Sequence, residues 1–113
     1  MKTEISWNDF EKIDIRVGTI IDAQPFEKAK NPAYKLWIDF GSEIGIRKTS
    51  AQITVLYGID DLIGKQIVAV VNFPPKQIAD FMSECLVLGV VGNDKEVTLL
   101  ATGKAVENGL AIG

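Results

Sequence analysis

The sequence predicts a mainly β protein, a five-stranded β-barrel of the OB-fold type carrying short helices. Three observations lead there. Short segments alternate apolar and polar residues with period two. A glycine interrupts one such segment, as a barrel corner requires. One helical connection separates three strands from the last two, and strand–strand–strand–helix–strand–strand is the order of a barrel that binds oligomeric ligands on one face. A small β-sandwich is the alternative. All of this fits in one domain, residues 1–113 with a core over about 8–113.

Ser6-Trp-Asn-Asp9 has the form of a capping box, in which the Ser6 hydroxyl and the Asp9 carboxylate each meet a backbone N–H. It opens a short helix over Trp7–Lys12, with Trp7 and Phe10 on one face. Ile13–Asp22 is the first strand: Ile13, Ile15, Val17 and Ile21 point inward, Asp14, Arg16 and Asp22 outward, and Gly18 marks a bulge or bend. Pro25–Pro32 is a loop, since two prolines and Asn31-Pro32 exclude regular structure.

Tyr34–Phe40 alternates again, with Tyr34, Leu36, Ile38 and Phe40 inward and Lys35, Trp37 and Asp39 outward. An outward tryptophan beside a lysine suits stacking on a base or an apolar side chain, or packing under a neighbouring loop. Gly41–Gly45 is a hairpin turn leading into a partner strand from Ile46. Gln52–Ile63 has helical spacing in two pieces broken by Gly58 and ending at Gly64. Lys65–Asn72 and Cys85–Val91 are strands apolar on both faces, whose second face needs cover that a subunit partner would give. Gly92–Lys95 is a turn, Glu96–Ala101 the last strand, and Asn108-Gly109 a turn signal in the tail.

Composition removes several functions. No histidine is present, so Ser-His and Cys-His nucleophiles and imidazole metal ligation are unavailable. With Cys85 the single cysteine, a structural zinc site is excluded, and its apolar strand makes it a buried inert thiol. Gly41–Gly45 lacks the Lys-Ser/Thr of a phosphate-binding P-loop. Asp60-Asp61, the one adjacent acidic pair, suits a helix start. No enzyme, metal or cofactor is expected. No apolar run reaches the roughly 18–20 residues that span a bilayer, and no secretory signal is visible, so a cytoplasmic location without membrane insertion is expected.

The net charge of −3 opposes strong non-specific binding to nucleic acid, but the charges are segregated. Residues 28–76 carry seven basic groups against four acids, and the remainder five against eleven. A basic middle therefore lies between acidic ends, either as a binding surface or as solvated strand faces. Within Val70–Gly89, a Pro-Pro break separates two apolar strands, and Asn72, Lys76, Gln77, Ser83 and Glu84 crowd the connection. Polar groups on a stiff connection between rigid strands make a candidate binding site, with an ordinary loop as the plain alternative.

Several segments carry a resemblance: Phe10-x-Lys12-x-Asp14-Ile-Arg-Val-Gly18, Ala33-Tyr-Lys-Leu36, Ser50-Ala-Gln-Ile-Thr54, Leu62-Ile-Gly-Lys-Gln66, and Val71-Asn-Phe-Pro-Pro-Lys-Gln-Ile78 with Ser83-Glu84. Together the chain resembles the tRNA-binding domain family over roughly Phe10–Gly113, and within it the CsaA-type export-related chaperones. The resemblance implies an OB-fold homodimer with chain ends and the second apolar face at its interface. It also implies affinity for unfolded or precursor polypeptides, for the Sec export machinery and for tRNA.

Synthetase-type members carry Lys-Met-Arg-Gly after this proline motif, whereas this chain reads Gln77-Ile-Ala-Asp80. A phosphate donor is replaced by Ala79 and an acid is added at Asp80, while Phe81 and Met82 suit apolar peptide. The expected function is thus an ATP-independent chaperone with apolar contacts at Trp37, Phe73, Phe81 and Met82. The alternative is a structure-specific tRNA binder acting in trans. There Arg47, Lys48 and Lys76 meet phosphates, and Ser50, Gln52, Asn72 and Ser83 meet sugar or bases.

Overall fold

One long strand organises the molecule because it is paired along both edges. The computed structural model describes residues 1–113, and β1 (Ile15–Pro25) is its longest element. The first half of β1 pairs with β4 (Gln66–Val70), in register Ile15↔Val70 through Thr19↔Gln66. Its second half pairs with β2 (Tyr34–Asp39), from Thr19↔Asp39 to Pro25↔Tyr34. β2 pairs in turn with β3 (Ile46–Ala51) across the Gly41–Gly45 turn, where both glycines have positive φ.

Two-stranded hairpins follow: β5 (Lys76–Ile78) with β6 (Phe81–Ser83), and, after β7 (Leu86–Val87), β8 (Gly89–Val91) with β9 (Val97–Leu99). The main sheet runs β3-β2-β1-β4-β7, antiparallel throughout. Its outer edges meet where the Glu84 N–H donates to the Lys48 carbonyl at 2.8 Å and the Lys48 N–H to Glu84 Oε1 at 3.0 Å. The result is a nearly closed five-stranded barrel of the OB-fold type, filled by Ile20, Leu36, Ile38, Phe40, Leu62 and Ile67.

The alternation reads correctly in β2, where Leu36 and Ile38 are buried, and it slips in β1. A bulge between Ile20 and Asp22 turns Ile20 into the core and leaves Ile21 43% exposed, reversing its expected direction. Gly18 has a different reason to be glycine: a Cβ there would lie 2.7 Å from Ile38 Cγ2 and 2.7 Å from Phe40 Cδ1. It permits close packing, while the bulge falls three residues on, at Ile21. Ile13 lies before the strand and is exposed.

Other expectations are adjusted by tertiary contacts. Ile67, Val68, Ala69 and Val70 of β4 are all buried within one chain, so this strand needs no subunit partner to cover it. The Cys85–Val91 run breaks into two strands and leaves Leu86, Val90 and Val91 exposed. Between Gln52 and Ile63 only α2 (Ile59–Leu62) is helical, and Gly64 ends the connection at φ +88°. The helix α1 (Trp7–Glu11) carries the predicted capping box, with Asp9 N–H to Ser6 Oγ at 3.2 Å and Ser6 N–H to Asp9 Oδ2 at 3.1 Å.

The tail is tied down by polar groups. Gln66 Oε1 accepts from the Thr102 hydroxyl and the Val106 N–H, each at 3.1 Å, while its Nε2 donates to the Val106 carbonyl and to Asn108 Oδ1. The Thr19 hydroxyl donates to Asn108 Oδ1 at 2.8 Å, and Arg16 Nη1 to the Gly109 carbonyl at 2.9 Å. Backbone bonds between Val17 and both Gly109 and Leu110, and between Ile15 and Ile112, then occupy the β1 edge that β2 leaves free. Gly109 is required here: its φ is +92°, and a Cβ would lie 2.5 Å from the Phe40 carbonyl oxygen.

Candidate ligand-binding site

The Pro-Pro connection after β4 is an ordered hairpin rather than an open loop. Lys76 faces Ser83, Gln77 faces Met82 and Ile78 faces Phe81 across β5 and β6. Ala79 turns the chain at φ +54°, a left-handed conformation uncommon for a side chain with a Cβ, and its carbonyl accepts from Gln77 Nε2 at 3.0 Å.

This hairpin folds over a second small core of Phe26, Ala33 and Phe81. Phe26 and Phe81 meet edge to face with centroids 5.4 Å apart, and Trp37 meets Phe81 at 6.1 Å. Phe81 is only 6% exposed, so it supports the surface instead of lining it, contrary to its expected role as an apolar contact. Trp37 is half-buried and packs against Phe81, the covered alternative for this residue. Of the four apolar residues singled out, Phe73 (55% exposed) and Met82 remain on the surface.

Cations sit on this aromatic base. Lys35 Nζ lies 5.0 Å from the Phe26 centroid and 5.1 Å from that of Phe81, and Lys48 Nζ lies 5.1 Å from Phe81. Such contacts orient an ammonium without neutralising it. Lys28 Nζ lies 2.7 Å from Asp80 Oδ2. The hydrogen bond from Lys28 holds the Asp80 carboxyl below its ordinary pKa and raises that of Lys28. Asp80 is therefore an ionised acid whose charge is countered by Lys28.

Beside the hairpin, at the seam between β3 and β7, lies a cavity of about 420 Å³ lined by Ser50, Phe73, Pro74, Lys76, Ile78, Ser83, Cys85 and Leu86. A second groove shares Ser50, Ile78 and Leu86 with it and runs past Gln52 to Val91 and Val97. On the other side of Phe73 and Pro74, a third concavity holds Arg47, Asn72 and Glu84. The predicted polar residues thus gather on one flank of the barrel, but they are not equally available.

Asn72 uses both ends of its amide: Oδ1 accepts from the Asp14 N–H at 3.0 Å and Nδ2 donates to the Lys12 carbonyl at 2.7 Å. It tethers the end of the helical segment to the barrel, contrary to the expectation of a free ligand contact. Arg47 donates from Nη1 to the Val71 carbonyl, which aims the guanidinium and leaves its other N–H groups free of protein partners. Thr49 has one hydroxyl proton, and at 2.7 Å from the Cys85 carbonyl it is well placed to donate there. Ser83 then donates to Thr49 Oγ1 at 2.7 Å and accepts from the Ser50 N–H at 3.3 Å, retaining one lone pair. Lys76 and Gln52 are exposed. Burial pushes the Cys85 thiol up to about 12, so a neutral thiol stands in the cavity wall.

Sequence reasoning missed Lys28, Lys35 and Leu86. Lys35 and Leu86 carry a signal, one beside an outward tryptophan and the other in a strand apolar on both faces. Lys28 carries none, because its partner Asp80 is 52 residues away.

OB-type barrels often serve as binding modules, and this one carries a lysine–aromatic flank and an apolar groove at its seam. The chain belongs to the tRNA binding domain family, whose model matches residues 15–111. It is 49% identical to the chaperone CsaA of Bacillus anthracis, with a TM-score of 0.93 over 98% of this chain and 100% of that one. With the CsaA chaperone protein of Picrophilus torridus it shares 55% identity and a TM-score of 0.91, over 97% and 100% of the two chains. A methionine–tRNA ligase of Bacteroides fragilis is 31% identical over 96% of this chain and 16% of its own length. The chain therefore spans about a sixth of the curated relatives it matches. No helix is long and apolar enough to cross a membrane.

Proposed function

We propose that this protein is a homodimeric, ATP-independent chaperone of the CsaA type that holds unfolded or precursor polypeptide segments, with the Sec export machinery as the route for its clients. One observation carries the reading: the seam groove sets the exposed Phe73 and Leu86 beside Lys76. Apolar surface in a groove with a cationic rim suits extended chain with little sequence preference. The similarity to the two CsaA structures supports it.

Self-association is assigned to the chain ends, where Trp7, Ile13, Leu110 and Ile112 are exposed and a concavity runs from Phe10 to Ile112. Binding by burial needs no nucleotide. The test is aggregation of a chemically unfolded model protein without ATP, at one dimer per client, alongside the mass in solution. Protection by a dimer is expected. No protection at that ratio, or a monomer, sinks the corresponding part of the reading.

Membership of the tRNA binding domain family favours tRNA as a second ligand of the same flank. In this reading Arg47, Lys48 and Lys76 meet phosphates, and binding of bulk tRNA weakens steeply with salt. A flat salt dependence excludes it.

A further inference from the structure

Asp80 stands where the lysines of the flank converge. Its carboxylate meets Lys28 at 2.7 Å, and Lys35 is close enough to help keep it ionised. The next residue, Phe81, is the ring on which Lys35 and Lys48 sit. Stability does not account for this pair: both side chains are largely exposed, at 72% and 55%, and such pairs contribute little to folding. Its effect on charge is larger. Lys28, Lys35 and Lys48 gather around the Phe26–Phe81 base, and the Asp80 carboxylate holds one of the three.

From this we propose that Asp80 sets the ligand preference of the site. By holding Lys28 it withholds a cation from phosphates, and so disfavours polyanions while leaving uncharged polypeptide unaffected. The proposal rests on the flank being the ligand surface assigned above. Releasing Lys28 adds one phosphate contact, which raises the slope of log affinity against log salt by about 0.7–0.9 and tightens binding about three- to tenfold at low salt.

The test compares wild type, Asp80→Asn, Lys28→Met and the double variant, binding bulk tRNA across a salt series and a reduced, uncharged unfolded polypeptide at one salt. Asp80→Asn should bind tRNA more tightly and with the steeper slope. Lys28→Met, which leaves the Asp80 carboxylate uncompensated, should bind tRNA more weakly than wild type, and the double variant should return to within about twofold of wild type, because the gain in Asp80→Asn acts through the released ammonium. Polypeptide binding should be the same in all four. Equal tRNA binding by Asp80→Asn and wild type, including none by either, overturns the proposal. A double variant as tight as Asp80→Asn also overturns it, since the gain would then come from bulk charge. Failure of the chaperone reading shows separately, as absent polypeptide binding in every variant.

Discussion

Two sets of polar side chains in this molecule behave oppositely. Around the tail, Gln66, Arg16, Thr19 and Asn108 join in a network, with Gln66 making four hydrogen bonds. On the β5–β6 flank, Lys35 and Lys48 touch only aromatic faces, and Lys76 stands exposed. A side chain engaged at both its donor and its acceptor ends inside the protein holds the fold together. One whose charge meets nothing but a ring keeps that charge for a ligand. By this criterion Asn72 belongs with the tail network, although sequence places it among the ligand contacts.

The largest effect is expected at Gly109. Replacement by alanine combines a left-handed backbone with a contact to the Phe40 carbonyl, and should cost about 2–3 kcal/mol in chemical denaturation. Binding of polypeptide by the folded fraction should be unchanged, and a loss there would erase the division between the two regions.

The division is sharpened by a pair of variants. Asn72→Ala should lower stability by about 1 kcal/mol and leave the salt slope of tRNA binding intact. Lys76→Ala should leave denaturation unchanged and reduce that slope by about one. Exchange of these two outcomes would return Asn72 to the ligand set.

The smallest effect at neutral pH concerns Cys85, which lines the groove yet is held by the fold. Its folded pKa is raised by burial from 9.0 to about 12. Its stabilising contribution is therefore whole below about pH 9 and lost as pH rises toward about 12. Titrating the denaturation midpoint through that window should show a fall that Cys85→Ala lessens. A thiol reagent at neutral pH should react with the native protein far more slowly than with the unfolded chain.

Much of the fold was legible because its signals are local. Alternation in Tyr34–Phe40, the Gly41–Gly45 turn and the Ser6–Asp9 capping box each reside within a few residues. The direction of Ile21 was not, since a bulge inserts one residue without changing composition. Nor was the burial of Phe81, which needs the loop at Phe26–Ala33 to fold back onto a hairpin some fifty residues later, at 76–83. The polar crowding of Val70–Gly89 falls on the hairpin and on the cavity beside it. The division of labour within it was not legible, because that depends on which partner each amide or hydroxyl finds across the barrel.

The docked tail also governs when the edge of β1 is covered. Arg16 meets the Gly109 carbonyl across 93 residues of sequence, and Thr19 meets Asn108 across 89. Contacts of such high order form late, after the entropy of closing nearly the whole chain has been met. During synthesis, the free edge of β1 therefore stays open until residues 109–112 have emerged, and a nascent copy is itself an unfolded chain with an unpaired strand.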